Sequence, residues 1–144
     1  MSTETQRIEE IISTLKTRQQ TNRLNYYTPY RFQSRFHESG ADANQRLLMA
    51  ANRVGKSYVG AMEMAIHLTG LYPDWWKGKR YKEPIKAWVC GASNETTRDI
   101  CQKELFGQPD NPREKGKGSI PKHLIGETTR KPGVPNAHSS VLVK

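Results

Sequence analysis

The sequence is short of the material from which cores, membrane spans and covalent staples are built. Of its 144 residues only 26 are Leu, Ile, Val or Phe, about 18%. That falls just under the roughly 20% below which a strongly charged chain is suspected of disorder. No apolar stretch approaches the roughly 20 residues of a membrane-spanning helix. The most apolar one, Ala61 to Tyr72, carries Glu63 and His67. The first ten residues hold three acids and one Arg, with no apolar leader core behind them. Cys90 and Cys101 are the only cysteines, too few for a disulfide framework and without a CxxC spacing. Both are expected as small buried apolar residues in a reducing, cytoplasmic compartment. Acids are scarce too: 14 against 23 Lys and Arg leave a formal charge of +9. Such an excess favours a polyanionic partner but says nothing about fold.

What is present divides the chain. Thr3-x-x-Gln6 has capping-box form, and Ile8, Ile11, Ile12 and Leu15 follow at helical spacing. Residues 1–25 therefore read as an N-terminal helical segment with one narrow apolar stripe. An aromatic cluster follows around Gln33, opening on a turn at Pro29, and residues 38–44 form a loop by composition. Arg46 to Ala50 has the length of a buried strand. Val59, Met62 and Ile66 then recur on one helical face, with Gly70 and Pro73 as a stop. Ile85 to Gly91 reads as a second strand. Ser93 is placed to cap a helix over Asn94 to Phe106. From Gly107 to Asn136 Gly, Pro and charge dominate, predicting a long irregular or poorly ordered loop. Val141 opens a third strand. Strand, turn, helix, strand, helix, strand predicts an α/β domain over residues 26–144 with a mostly parallel sheet.

One motif carries chemistry. Ala50-Ala51-Asn52-Arg53-Val54-Gly55-Lys56-Ser57 matches the P-loop pattern with Ala at the first Gly position. Exposed loop amides running into a helix N-terminus form a phosphate site. Gly55 lets the backbone approach the phosphate oxygens, Lys56 reaches the β and γ phosphates, and the Ser57 hydroxyl ligates Mg²⁺. Ala50 narrows the backbone choices where Gly eases the turn. Arg53 either contacts the γ-phosphate, sensing ATP against ADP, or points to solvent. Gln33 either reads an adenine edge with its amide or is an ordinary surface Gln. No apolar strand ending in Asp-Glu follows Ser57, so a second magnesium carboxylate cannot be placed.

Taken together, these residues resemble the N-terminal part of the ATPase domain of the large terminase subunit of tailed bacteriophages. The likeness runs from about Tyr27 to Lys144. It rests on Pro29…Gln33, the A-A-N-R-V-G-K-S loop, T-G-L-Y-P-D-W-W-K-G-K-R (Thr69 to Arg80), W-V-C-G-A-S (Trp88 to Ser93), the helix ending K-E-L-F (Lys103 to Phe106), and G-S-I-P (Gly118 to Pro121). The Pro-Asp-Trp-Trp connection narrows a widespread loop to this family.

The resemblance implies a RecA-like P-loop NTPase fold of the ASCE type, cut before the acidic strand end that binds Mg²⁺. It implies ATP and Mg²⁺ as cofactors, Gln33 as the adenine contact, and a γ-phosphate role for Arg53. Implied partners are double-stranded DNA, a small terminase subunit and a portal on the procapsid, with a homo-oligomeric ring, no membrane, and the cytoplasm of a host bacterium. The chain alone is then expected to hydrolyse ATP negligibly. Lys77, Lys79, Arg80, Lys82 and Lys86 face a single acid, Glu83, beside Trp75 and Trp76. This segment is either a sequence-independent contact to DNA phosphates or a solvated loop whose Trp pair packs on the sheet. Two other readings compete: a helicase-like P-loop translocase, and a non-catalytic basic nucleic-acid-binding prophage remnant.

Overall fold

The computed structural model describes residues 3–144, so the first two residues of the N-terminal segment lie outside the described residues. Helix α1 (Thr3–Thr21) buries none of its residues, and its stripe of Ile8, Ile11, Ile12 and Leu15 is exposed. A 3-10 turn (Arg23–Tyr26), capped by the Asn22 side chain, drops Leu24 and then Tyr27 into the core. Helix α2 (Arg31–Ser39) follows, and then α3 (Lys56–Thr69), whose Val59, Ala61, Met62, Ala65 and Ile66 are buried. The amphipathic spacing read from the sequence explains that face. Met62 and Ile66 are fully buried and cluster with Leu24, Tyr27, Trp76, Leu105, Ile120 and Ile125.

The predicted helix over Asn94 to Phe106 is continuous in three parts. They are α4 (Asn94–Thr96), a π-helical stretch (Thr97–Gln102) and α5 (Lys103–Phe106). Ser93 Oγ accepts the Thr96 N–H at 3.1 Å, the expected cap.

The strands depart from expectation. Strands β1 (Ile125–Arg130) and β2 (His138–Val143) pair antiparallel, with Ile125 opposite Val143 and Thr128 opposite Val141. The third expected strand is thus present as β2, but its partner lies in the segment predicted to be irregular. That prediction is corrected: residues 107–136 hold β1 and short 3-10 turns at Pro112–Glu114 and Lys122–Leu124. Composition was misleading there because Ile120 and Ile125 reach the core and the backbone finds distant partners.

Residues 46–50 and 85–91 form no strand in the described chain. Leu47, Met49 and Trp88 stand exposed, Trp88 at 90%. A strand exists only through its ladder, and these segments have none. The same openness corrects the reading of the cysteines: Cys90 is exposed, and Cys101 is only half-buried. Burial, with Cys90 nearby, pushes the Cys101 thiol up. Among the described residues no helix is long and apolar enough to cross a membrane.

Candidate functional site

The chain enters α3 through two left-handed residues, Arg53 at φ 61° and Gly55 at φ 87°. Ala50 is not among the positive-φ residues, so Ala in place of the first Gly costs no backbone strain at that point. Arg53 does carry strain, because an L-residue in this region costs roughly 1–2 kcal/mol. Its side chain is exposed, as is Ser57. The first intrahelical bond of α3 runs from the Val59 N–H to the Gly55 carbonyl at 2.9 Å. The amides of Lys56, Ser57 and Tyr58 thus precede the helical ladder, at the positive end of a 14-residue helix. Lys56 Nζ folds back across the loop and donates to the Ala50 and Ala51 carbonyls at 2.7 and 2.6 Å. Those two bonds tie the start of the loop to the start of the helix.

Gln33 is not a surface residue. It is 2% exposed, and its Oε1 accepts the Tyr30 N–H at 2.9 Å across the first turn of α2. Because that acceptor must be oxygen, the amide's other end is nitrogen. Nε2 lies 3.1 Å from where a Cβ on Gly55 would sit. Gln33, the Asn52–Ser57 loop and Lys56 therefore come together, although 17 residues separate Gln33 from Ala50 in sequence. Any side chain at Gly55 meets both an adverse φ and this amide.

Behind the loop lies a polar network that sequence reasoning missed. Glu63, on the buried side of α3, accepts from His37 Nδ1 at 2.7 Å and from Arg46 through Nη1 and Nη2. His67 Nε2 stands 3.7 Å away, one turn further along α3. His37 Nε2 reaches the Tyr27 hydroxyl at 3.0 Å, and Arg46 Nη1 donates to the Phe36 carbonyl at 2.7 Å. The available signal was a Glu and a His four residues apart on the most apolar stretch of the chain.

Burial alone pushes the Glu63 carboxyl up. Hydrogen bonds from His37, His67 and Arg46, with the Arg46 charge, outweigh it and hold the group far below its ordinary 4.5. A carboxylate depressed in the folded state contributes stability above its unfolded pKa and loses it as pH falls. The urea midpoint is therefore expected to drop as pH is lowered below about 4.5, and Glu63→Gln is expected to flatten that acid limb. An unchanged acid limb in the variant would remove Glu63 as its cause.

In the basic connection the tryptophans turn inward, onto the α2 and α3 side chains rather than onto a sheet, and the cations turn outward. Trp76 is buried and donates through Nε1 to the Lys79 carbonyl at 3.0 Å. Its ring lies 5.0 Å from His37 and 5.4 Å from His67, and Trp75 meets Tyr27 at 5.8 Å. Gly78 is required because a Cβ there would collide with the His37 carbonyl. Lys77, Lys79, Arg80 and Lys82 are exposed. Lys79 lies over Tyr81, Arg80 lies over Tyr72, and Lys77 stands 3.8 Å from Glu38.

Among the described residues, open clefts also lie away from the loop. One, of about 510 Å³, separates residues 84–89 from Val141, Leu142 and Val143 over Leu68, Leu105 and Phe106. Another, of about 490 Å³, lies between Ser93 and His138. Among the described residues no three His, Cys, Asp or Glu side chains are grouped to hold a metal.

The chain belongs to the terminase large-subunit family. The family model described as terminase large subunit, T4likevirus-type, N-terminal, matches residues 47–141, including the whole loop and the Trp-Trp connection. The large terminase subunit of Salmonella phage P22 is 37% identical over 147 aligned residues, covering 94% of this chain. The chain spans 30% of that relative's length. No solved structure matches it.

Proposed function

We propose that this chain is the ATP-binding part of a DNA-packaging terminase large subunit, and that residues 50–57 bind the nucleotide phosphates. The observation that carries the reading is the loop itself. Left-handed backbone at Arg53 and Gly55 leads three amides and Lys56 to one helix N-terminus inside a matched family region. The residues fit a magnesium nucleotide. Loop amides and Lys56 would take the phosphates, and Ser57 would offer its exposed hydroxyl to the metal. Bound Mg²⁺ would supply charge neutralisation between the phosphates. Gln33 Nε2 and the second lone pair of its Oε1 would read the adenine edge. The fold proposed for the assembly of loop, sheet and helices is the RecA-like α/β P-loop type, with a mostly parallel sheet.

In the complete protein this part would couple ATP hydrolysis to translocation of double-stranded DNA into a procapsid. It would work as a ring on a portal, recruited by a small subunit, in the host cytoplasm. The exposed Lys77, Lys79, Arg80 and Lys82 would contact DNA phosphates while Trp76 anchors their loop. Replacing all four with Gln is expected to weaken duplex binding and flatten its salt dependence, by up to about 0.9 in log–log slope for each phosphate no longer neutralised. An unchanged slope would remove this loop from the DNA surface.

The nucleotide reading is tested by calorimetric titration of the 144-residue chain with ATP–Mg²⁺ and ADP–Mg²⁺. Binding of ATP is expected, and its absence would defeat the reading. Arg53→Gly is expected to relieve the strained φ while removing the guanidinium, so that preference for ATP over ADP falls by about tenfold without loss of stability. A preserved preference would return Arg53 to solvent.

A further inference from the structure

Glu63 lies seven residues beyond Lys56 on α3, outside the phosphate loop, yet the segments that frame the loop converge on its carboxylate. Helix α2 arrives through His37, whose Nδ1 is 2.7 Å from Oε2. Gln33 sits one turn earlier on the same face of α2, with its amide against Gly55. The segment leading into the loop arrives through Arg46, four residues ahead of Ala50. Arg46 Nη2 bonds Oε1, and Nη1 is 3.3 Å from Oε2. The same Nη1 donates to the Phe36 carbonyl at 2.7 Å, closing a triangle between α2, the loop's entry and α3. One carboxylate thus joins the chain before the loop, the helix after it and the helix that presents Gln33.

Burying such a network is a poor way to gain stability. Paired buried charges are often replaceable by apolar side chains at no net cost, whereas their directional bonds fix one geometry. Hydrogen bonds weaken steeply with misalignment, so a shift of about 1 Å at His37 would carry Gln33 out of register with a base edge.

We infer that Glu63 is a positioning residue of the nucleotide site: by holding His37 and Arg46 together it sets the Gln33 amide against the loop and so determines which base is accepted. The inference rests on the nucleotide reading of residues 50–57 and adds base selectivity to it. His37 supplies an internal comparison. An Asn at position 37 places its amide nitrogen the same number of bonds from Cα as Nδ1, so it keeps a donor toward Glu63. A Gln there places its nitrogen at the distance of Nε2 and serves Tyr27 instead.

The test measures affinities of ATP, GTP and inorganic tripolyphosphate, each with Mg²⁺, for the 144-residue chain and for Glu63→Gln, His37→Asn and His37→Gln. The unmodified chain is expected to prefer ATP over GTP. Glu63→Gln and His37→Gln are expected to lose about tenfold of that preference while tripolyphosphate affinity stays within about twofold. His37→Asn is expected to retain the preference. Should Glu63→Gln fail to fold, the His37 pair decides. The inference is overturned if the preference survives in Glu63→Gln and His37→Gln. It is also overturned if both His37 variants lose the preference alike, or if all three ligands weaken together, as a merely structural role would require. Equal binding of ATP and GTP by the unmodified chain defeats it but leaves the nucleotide reading standing. Failure to bind ATP, GTP or tripolyphosphate at all defeats that reading first.

Discussion

Lys56→Ala is expected to lower the affinity of the chain for ATP–Mg²⁺ by about 100-fold while leaving it folded. What Lys56 touches accounts for both halves of that expectation. Its ammonium donates to two exposed carbonyls, Ala50 and Ala51, at 2.7 and 2.6 Å, and to no carboxylate. Water can satisfy those carbonyls when the side chain is removed, so the loss of stability is small. The ammonium is nonetheless held against the start of the loop, where phosphate oxygens would compete with the carbonyls for its three donors. A charge-assisted hydrogen bond is worth roughly 1.5–3 kcal/mol, and the upper part of that range corresponds to about 100-fold. Lys56→Arg separates charge from fit: the larger planar group keeps the charge but not the point-like reach, and should recover only part of the affinity. Equal ATP affinity in Lys56→Ala and the unmodified chain, with both folded by circular dichroism, would end the phosphate-loop reading.

The parts of the molecule that sequence revealed are those whose causes are local. The loop is a contiguous pattern, and its two left-handed residues occupy the positions where the motif turns into α3. The helix from Asn94 to Phe106 announces itself through Ser93, whose hydroxyl caps Thr96 three residues on. Strands are different, because their hydrogen bonds are made elsewhere in the chain. Residues 46–50 and 85–91 have strand composition yet no ladder among the described residues, and the 510 Å³ cleft lies beside the second of them. Conversely, β1 lies in a segment whose Gly and Pro content signals a loop. The Glu63 network was hidden for a related reason. His37 and Arg46 stand 26 and 17 residues from their shared carboxylate, and neither spacing matches a repeat. A buried Glu on an apolar helix face does predict that partners exist, because an ionised carboxylate there is costly unpaired. It does not say which residues they are.

Ile120→Ala is expected to cost roughly 3 kcal/mol, within the roughly 2–5 kcal/mol of buried Ile-to-Ala changes. Composition and structure disagree most in the segment that holds this residue. Ile120 is 0% exposed, although it lies in the stretch read from sequence as irregular. The backbone leading up to and including it explains why it stays there. The Gly116, Ser119 and Ile120 amides donate to the Phe106, Glu104 and Leu105 carbonyls at 2.7 to 2.8 Å, and Ser119 Oγ adds a bond to Glu104 at 3.0 Å. Carbonyls at the end of a helix have no intrahelical donors, so this returning chain satisfies groups that α5 would otherwise leave to water. Its hydrogen bonds hold the Ile120 backbone in place, and the site cannot collapse around a truncated side chain. The cavity term is therefore added to the lost transfer energy. With a urea slope of about 2 kcal/mol/M the midpoint should fall by about 1.5 M. Ile12→Ala, on the exposed stripe of α1, should change stability by less than about 0.5 kcal/mol. A change at Ile120 as small as that at Ile12 would mean that residues 116–120 do not belong to the folding unit built on α3. The core would then lose Ile120 from the cluster around Met62 and Ile66, and the low aliphatic content of the chain would mark a domain still more thinly filled.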